Sequence, residues 1–484
     1  MRCVALSQAW QDDGGQVIFL MAAGAPILEE RLKSEGIEVV WTSAAPGSAA
    51  DAHQTTKLSQ NVGASWVMVD GYHFGADYQR IIKSSGQRLL AVDDYGHADH
   101  YHADFVLNQN LYADETVYAS REPYTQLLLG TRYALLRREF LNWRGFNREI
   151  PRVARKIVVT LGGGDPDNVT LNVIQALQHI KMDGLETIVV VGGSNPHYHE
   201  LQSAIRESRT PIRLQSNVTR MPELTAWADV AISAAGITAW ELAFMGVPTL
   251  LLIQAHNQRG TAERLDALGV ATNLGRPADL SRDKIARELV NLLVAAERRT
   301  KMAHRGRELV DGNGASRVLM HLNAHRLHIR EVHEDDCKQL WEWANDAEVR
   351  AVSFSPEAIP WERHIEWFNS KLNNRACVLQ IATNGGEIAA GQIRYDLDGD
   401  QAVVSISLDR EFRGKGYGSP LIWRSAEELF DTTAVTSVHA YVKPTNEASV
   451  RAFEKAGYQQ LERTSIEGHE AVHLVLSRSG NNAR

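Results

Sequence analysis

Short apolar or β-branched runs alternate with segments of helical spacing through most of the chain. Val17 to Met21, Glu38 to Trp41, Trp66 to Val69, Leu89 to Val92 and Phe105 to Leu107 read as strands. Pro26 to Ser34 and Asp77 to Ser84 read as helices between them, and Met1 to Gln11, with Val4, Leu6, Ala9 and Trp10 on one face, predicts an opening helix stopped at Gly14-Gly15. The alternation restarts at Lys156 to Leu161 and continues through Thr187 to Val191, Ile212 to Leu214, the run from Val230 and Pro248 to Ile253. Strand and helix in turn predict a doubly wound parallel sheet, here twice over. Near Leu327 the pattern changes. Val378 to Thr383 and Glu387 to Tyr395 flank Asn384-Gly385-Gly386 and read as an antiparallel pair, followed by strands at Ala402 to Leu408 and Ser437 to Val442. The expected division is 1–137, 138–325 and 326–484, with the first of these missing its first strand.

Polar residues gather where the predicted strands end. Asp70-Gly-Tyr-His-Phe, Asp93-Asp94 with His97, and Asn108-Gln109-Asn110 suggest a polar crevice, although turn chemistry also favours such residues there. Gly162, Gly163 and Gly164 stand between a strand and a helix start, where backbone N–H groups can face a diphosphate or simply form a tight turn. Val230 to Pro248 joins an apolar strand, a small-residue loop at Ser233 to Gly236, and a helix from about Thr238 that stops at Gly246. This is the layout of a ligand-facing turn. Thr238 and Glu241 also fit a capping box, in which Glu241 would serve only its own helix start. His256-Asn257-Gln258 follows another strand end and offers two amides to a ligand.

Composition narrows the classes. The formal charge of -8 over 484 residues is spread without a basic stripe, which argues against nucleic acid or an anionic membrane surface as the main partner. Cys3, Cys337 and Cys377 lie far apart, form no metal-ligand spacing and fit a reducing compartment. No apolar run approaches the ~20 residues of a membrane span. A cytoplasmic location is expected.

Several motifs of the first two parts fall in the order of a known family. Met1-Arg-Cys-Val-Ala-Leu, Asp70-Gly-Tyr-His-Phe, Leu107-Asn-Gln-Asn, Leu161-Gly-Gly-Gly-Asp-Pro-Asp-Asn, Met221-Pro-Glu-Leu and Ile232-Ser-Ala-Ala-Gly through Glu241 resemble the UDP-sugar hydrolase of pseudaminic acid biosynthesis. The resemblance covers roughly Met1 to Val310. It implies a GT-B-like pair of Rossmann-like halves and hydrolysis of UDP-2,4-diacetamido-2,4,6-trideoxy-β-L-altropyranose. Carried over by position, Ser233, Gly236 and Glu241 would hold uridine and ribose, Gly162 to Gly164 would face phosphates or sugar, and Asn257 would contact the sugar nucleotide. The family places a Gly-x-Gly-His segment just before its Met-Arg-Cys, and that histidine is the expected general base. A base of this kind contributes typically ~100-fold to ~10,000-fold in rate. The expectation is a natural start some residues upstream of Met1, and neither His73 nor His97 inherits the role.

In the last third, the strand Ala402 to Leu408 delivers Arg413, Gly414, Lys415, Gly416, Tyr417 and Gly418 to a helix with Pro420 in its first turn. Alternating glycines beside two cations, just before a helix N-terminus, suit a pyrophosphate. Asn446 to Tyr458 then predicts a helix with a glycine stop. Together these motifs resemble the acetyl-CoA-binding core of the GNAT acetyltransferases, over about Leu327 to Arg478. The resemblance implies acetyl-CoA as cosubstrate, with the Arg413 to Gly418 amides on its diphosphate and Asn446 and Ser449 lining it. Many members carry a tyrosine that protonates the departing thiolate where this chain has Phe453, which leaves Tyr441, Tyr458 or water as candidates, or a thiolate that departs unprotonated.

The two resemblances share a substrate. The expected protein N-acetylates a UDP-4-amino-sugar and then hydrolyses UDP from the product, without a metal. A glycosyltransferase fused to an acetyltransferase, and a nucleotide-sugar-binding module on an active acetyltransferase, are the alternatives.

Overall fold

The short apolar and β-branched runs of the first half of the chain become strands β1 (Ile18–Ala22), β2 (Glu38–Thr42), β3 (Val67–Asp70), β4 (Leu89–Val92) and β5 (Phe105–Asn108), and a further strand not anticipated from the sequence follows, β6 (Gln126–Leu129). The computed structural model describes residues 1–22, 26–193, 195–208, 210–325, 327–384 and 388–478. Ser194 and the expected turn residues Gly385 and Gly386 lie outside these. Two units result, Met1–Arg317 and Val318–Arg484. In the first, β1 and β2 pair parallel as one sheet, and β3-β4-β5-β6 form a second, also parallel. Among the described residues no ladder joins them. β4 and β5 are buried throughout, as strands covered on both faces are.

A six-stranded parallel sheet completes this unit: β7 (Lys156–Thr160), β8 (Glu186–Val191), β9 (Ile212–Ser216), β10 (Val230–Ala234), β11 (Thr249–Leu252) and β12 (Ala271–Gly275), in spatial order β12-β11-β10-β7-β8-β9. The chain winds outward from β7 to β9, returns to lay β10 beside β7, and winds outward the other way. Winding therefore reverses between β7 and β10, where Thr160 sits opposite Ser233. In such a sheet the crevice beyond the strand ends opens at this reversal.

Alternation of side chains across the strands assigns the two cores. Ile157, Val159, Ile232 and Leu250 pack against the helices Val169–Gln178 and Arg282–Val294, while Val158, Ala231 and Leu251 pack against Ile237–Phe244 and Arg259–Ala267. Trp240 is the bulkiest fully buried side chain. Truncating it to alanine would cost about 3–5 kcal/mol. No helix among the described residues is long and apolar enough to cross a membrane.

The second unit holds β13 (Leu327–Glu331), β14 (Cys377–Asn384), β15 (Ala389–Asp398), β16 (Gln401–Leu408), β17 (Ser437–Val442), β18 (Gln459–Ile466) and β19 (His469–Ser477), in order β13-β14-β15-β16-β17-β19-β18. All neighbours are antiparallel except β16 and β17. This is a mixed sheet, the architecture of the acetyltransferase family that its glycine loop resembles. The parallel pair is joined only from Gln401 to Val403 and from Ser437 to His439. Beyond that point the two strands part, and Val404 to Leu408 faces Ala440 to Val442 across an unpaired gap.

Candidate functional sites

At the reversal point of the six-stranded sheet, Gly162 to Gly164 leave β7 and Ser233 to Gly236 leave β10. Side chains added at Gly163 and Gly164 would meet no other atom, and at Gly162 only Gln254 Oε1, at 4.0 Å. The Cβ positions of the three glycines thus point into open space. Ser233 is buried and its hydroxyl donates to the Ala234 carbonyl at 3.2 Å. Gly236 is the N-cap of the helix Ile237–Phe244. Asp165 accepts from the Val169 and Thr170 N–H groups and from Gln254 Nε2, and so ties the glycine loop to its helix and to the end of β11.

The capping box that Thr238 and Glu241 fit by spacing, the alternative to a ligand-facing role, does not form. The helix begins at Ile237 with no side-chain cap, and Glu241 instead accepts from Arg137, Nε at 2.9 Å and Nη2 at 2.8 Å. Glu241 is 4% exposed and Arg137 8%. Thr238 and Glu241 have the right spacing, but a guanidinium 104 residues earlier outcompetes a local amide because a charge-assisted pair is the stronger bond when both groups are buried. Burial raises the Glu241 carboxyl above its ordinary range, and Arg137 acts against that rise.

The polar strand ends of the first half converge on a residue the sequence reading passed over. Arg2 donates to Asp70 Oδ1 from Nη2 at 2.7 Å and to Asp94 Oδ1 from Nη1 at 2.7 Å. Cys3 Sγ donates to Asp70 Oδ2 at 3.0 Å; all three cysteines are free thiols. Asn110 Nδ2 donates to the same Asp94 oxygen as Arg2, and Asn108 Nδ2 to the Asp94 carbonyl. Burial would lift the Asp70 carboxyl, but the hydrogen bonds and charge of Arg2 outweigh it and hold the group below its ordinary range. Asp93 turns the other way. Its carboxylate accepts the Tyr95, Gly96 and His97 N–H groups and the Tyr101 hydroxyl, so it shapes the loop rather than facing the crevice.

Tyr72 carries this network to the second half of the unit. Its hydroxyl donates to Asp94 Oδ2 at 2.6 Å and accepts from Asn257 Nδ2 at 2.9 Å, while Tyr112 donates to the Asn257 carbonyl at 2.9 Å. The Tyr72 ring is 46% exposed and lies 5.0 Å from that of Tyr95. Burial of its hydroxyl, followed by the bond to Asp94, pushes the phenol well above its usual range, so it keeps its proton at neutral pH. Asn257 is thereby placed opposite the Asp70 and Asp94 cluster, and His256 beside it is exposed.

In the second unit, β16 ends at the Arg413 to Gly418 loop. Gly414 and Gly416 have φ of 70° and 78°, left-handed values that suit glycine and turn successive amides toward one side. The helix Gly418–Thr432 starts directly behind them. The Arg413 guanidinium is already engaged by Asp346 at 2.7 Å and Glu348 at 2.8 Å. Its charge is balanced within the unit, while Lys415 of the same loop is exposed. Asn446 caps the helix Glu447–Lys455 by accepting the Ser449 N–H at 3.2 Å.

The two tyrosines differ in setting. Tyr441 on β17 stacks on His473 at 4.7 Å between ring centres and is half-buried. Tyr458 is 3% exposed, packs against Phe453 at 5.0 Å, and its buried hydroxyl has no hydrogen-bond partner among the described residues. Burial pushes its phenol far above the usual range.

Comparison with known proteins defines the class. Residues 157–314 match the glycosyltransferase family 28 C-terminal domain, and residues 326–459 match the acetyltransferase (GNAT) domain. The chain is thus an α/β unit of GT-B type followed by an acetyltransferase domain. It is similar along 93% of its length to an uncharacterized protein of Methanocaldococcus jannaschii, at 21% identity over 90% of that protein. The spore coat polysaccharide biosynthesis protein SpsG of Bacillus subtilis is 28% identical over 50% of this chain and 70% of its own. The Helicobacter pylori pseudaminic acid cytidylyltransferase and UDP-2,4-diacetamido-2,4,6-trideoxy-beta-L-altropyranose hydrolase is 26% identical over 43% of this chain and 37% of its own.

Proposed function

We propose that the chain is a bifunctional nucleotide-sugar enzyme of the cytoplasm that acetylates a UDP-4-amino-sugar with acetyl-CoA and hydrolyses UDP from the resulting UDP-2,4-diacetamido-2,4,6-trideoxy-β-L-altropyranose. The reading is carried by one observation: an acetyltransferase domain match stands behind a unit whose relatives belong to sugar biosynthesis. Acetyl-CoA is the cosubstrate that this match implies.

For acetyl transfer, the free amine attacks the thioester carbonyl, the carbon–sulfur bond breaks, and the thiolate leaves to take a proton. The gap between β16 and β17 supports this assignment, since their unpaired backbone N–H groups can meet the developing oxyanion. The Arg413 to Gly418 amides would hold the diphosphate. Phe453 cannot supply a proton, and half-buried Tyr441 is better placed to reach a cofactor than Tyr458 in the core.

For hydrolysis, water attacks the anomeric carbon, the bond from that carbon to the diphosphate oxygen breaks, and UDP departs. Ser233, Gly236 and Glu241 would hold the uridine side, Gly162 to Gly164 the phosphates, and Asn257 with Tyr72 the sugar. The tyrosine pair Tyr72 and Tyr95 offers the sugar an apolar face beside the Asp94 carboxylate. No histidine of the crevice is assigned as base.

The family 28 match favours one rival, transfer of the sugar to an acceptor by the same uridine site. Incubating the full chain with purified UDP-2,4-diacetamido sugar and no acceptor separates the two. Equimolar UDP and free sugar support hydrolysis, whereas release only on addition of an acceptor supports transfer.

A further inference from the structure

No metal is expected from the sequence, in which Cys3, Cys337 and Cys377 form no ligand spacing. The fold brings three other groups together. Tyr101 and Arg121 form a parallel β-bridge, in which Tyr101 N–H donates to the Ser120 carbonyl and Glu122 N–H to the Tyr101 carbonyl, both at 3.0 Å. Residues on either side of an extended position point the same way. His100 and His102 therefore leave one face while Tyr101, 1% exposed, goes into the core. Glu122 lies alongside on the bridged segment.

His100 Nε2 is 3.3 Å and His102 Nδ1 2.9 Å from the same Glu122 oxygen, and the three ligand atoms all lie within 4.8 Å of one another. In a tetrahedral zinc site with bonds of about 2.0–2.1 Å, ligand atoms are separated by about 3.4 Å. The two histidine–Glu122 distances lie within a few tenths of an ångström of that figure. The second nitrogen of His100 is already held by the Ser120 hydroxyl at 3.1 Å, the outer contact that fixes the tautomer of a metal-bound imidazole. His102 is anchored by its backbone N–H to Gln79 Oε1 at 3.1 Å.

The neighbouring cations do not oppose an ion here. Lys83 is paired with Asp104 at 2.6 Å, Arg80 with Asp77 at 2.8 Å and Arg121 with Glu115. The cluster is partly exposed, so an ion can enter, and water would supply the fourth ligand.

We propose that His100, His102 and Glu122 form a binding site for a borderline divalent cation, Zn²⁺ in the first place, that braces the segments 100–102 and 120–122 outside the crevice. Two imidazoles and one carboxylate are ligands that favour this class of ion over Mg²⁺ or Ca²⁺. The bridge links the site to the crevice wall, because the Tyr101 hydroxyl donates to Asp93, which shapes the loop bearing Asp94.

The test uses the full chain without a polyhistidine tag, freed of metal by a chelator, and Zn²⁺ or Co²⁺ alone as probe. Calorimetry is expected to show one tight equivalent of Zn²⁺, weakened more than about tenfold in His100→Gln, His102→Gln or Glu122→Gln, since even outer-shell changes cost that much. Zn²⁺ should raise the melting temperature of the natural chain and leave His100→Gln/His102→Gln unmoved. Bound Co²⁺ should give the visible bands of tetrahedral nitrogen and oxygen ligation without thiolate charge transfer, a readout that needs no variant. No saturable Zn²⁺ binding, equal affinity in the double variant, or a thiolate band would overturn the site and leave the cluster as an ion pair.

Discussion

Replacing Arg137 with Met probes the buried ion pair behind the proposed uridine loop. The change leaves Glu241 buried without the guanidinium that touches it at 2.8 and 2.9 Å. Two unit charges about 4 Å apart attract by about 4 kcal/mol at an effective dielectric near 20. Removing one partner of a buried pair costs about 3–5 kcal/mol, because the survivor stays desolvated. The cost depends on pH with a definite sign. Burial already places the Glu241 carboxyl above the 4.5 of a free side chain, and losing Arg137 raises it further. A group raised on folding contributes stability that is complete below its unfolded value and is lost as pH rises through its folded value. Arg137→Met should therefore be far closer to the natural protein at pH 5 than at pH 8. Replacing both groups, Arg137→Met with Glu241→Leu, should recover most of the loss, since an apolar pair of similar volume is often neutral. Urea unfolding of the full chain followed by tryptophan fluorescence reads these differences, and UDP titration of the double variant separates structure from ligand binding. If Glu241 holds ribose, UDP affinity falls about tenfold or more although stability returns. An Arg137→Met chain as stable as the natural one at pH 8, or a double variant less stable than the single, would refute the reasoning.

Three further outcomes are expected. Tyr72→Phe removes the hydroxyl shared by Asp94 and Asn257, and should lower the kcat/KM of UDP release about tenfold or more while thiol release is unchanged, a hydrogen bond to a charged group being worth ~1.5–3 kcal/mol. Gly414→Ala meets no atom within 4 Å but forces a side chain onto a φ of 70°, so the KM for acetyl-CoA should rise several-fold for a strain of ~1–2 kcal/mol, with UDP release from the acetylated sugar unaffected. Tyr458→Phe deletes a buried hydroxyl with no partner and should be neutral or stabilising by up to ~1–3 kcal/mol in thermal melts; acetyl transfer should persist, and its loss would make Tyr458 the acid.

The parallel sheets were legible because strands buried on both faces leave continuous apolar runs, and the glycine loops because their positions follow those runs. What the sequence hides is pairing at long range. Arg2 looks like any early basic residue, yet it holds Asp70 and Asp94 together across 68 and 92 positions. Glu241 fits a local cap by spacing, and only the fold brings Arg137 to it. The parting of β16 from β17 leaves no mark in either strand, since both keep their alternation past the last shared hydrogen bond. His100 and His102 form a His-x-His pattern visible in the chain, but Glu122 joins them only through the bridge at Tyr101.

The most direct measurement of the central claim follows two products in one reaction. The full chain is given acetyl-CoA and the UDP-4-amino-sugar, and free thiol and free UDP are recorded together over time. The account predicts immediate thiol release, followed after a lag by UDP in equal final amount, and no UDP when acetyl-CoA is withheld. Thiol without UDP would contradict the hydrolytic half of the account, and UDP without thiol would contradict the order of the two steps.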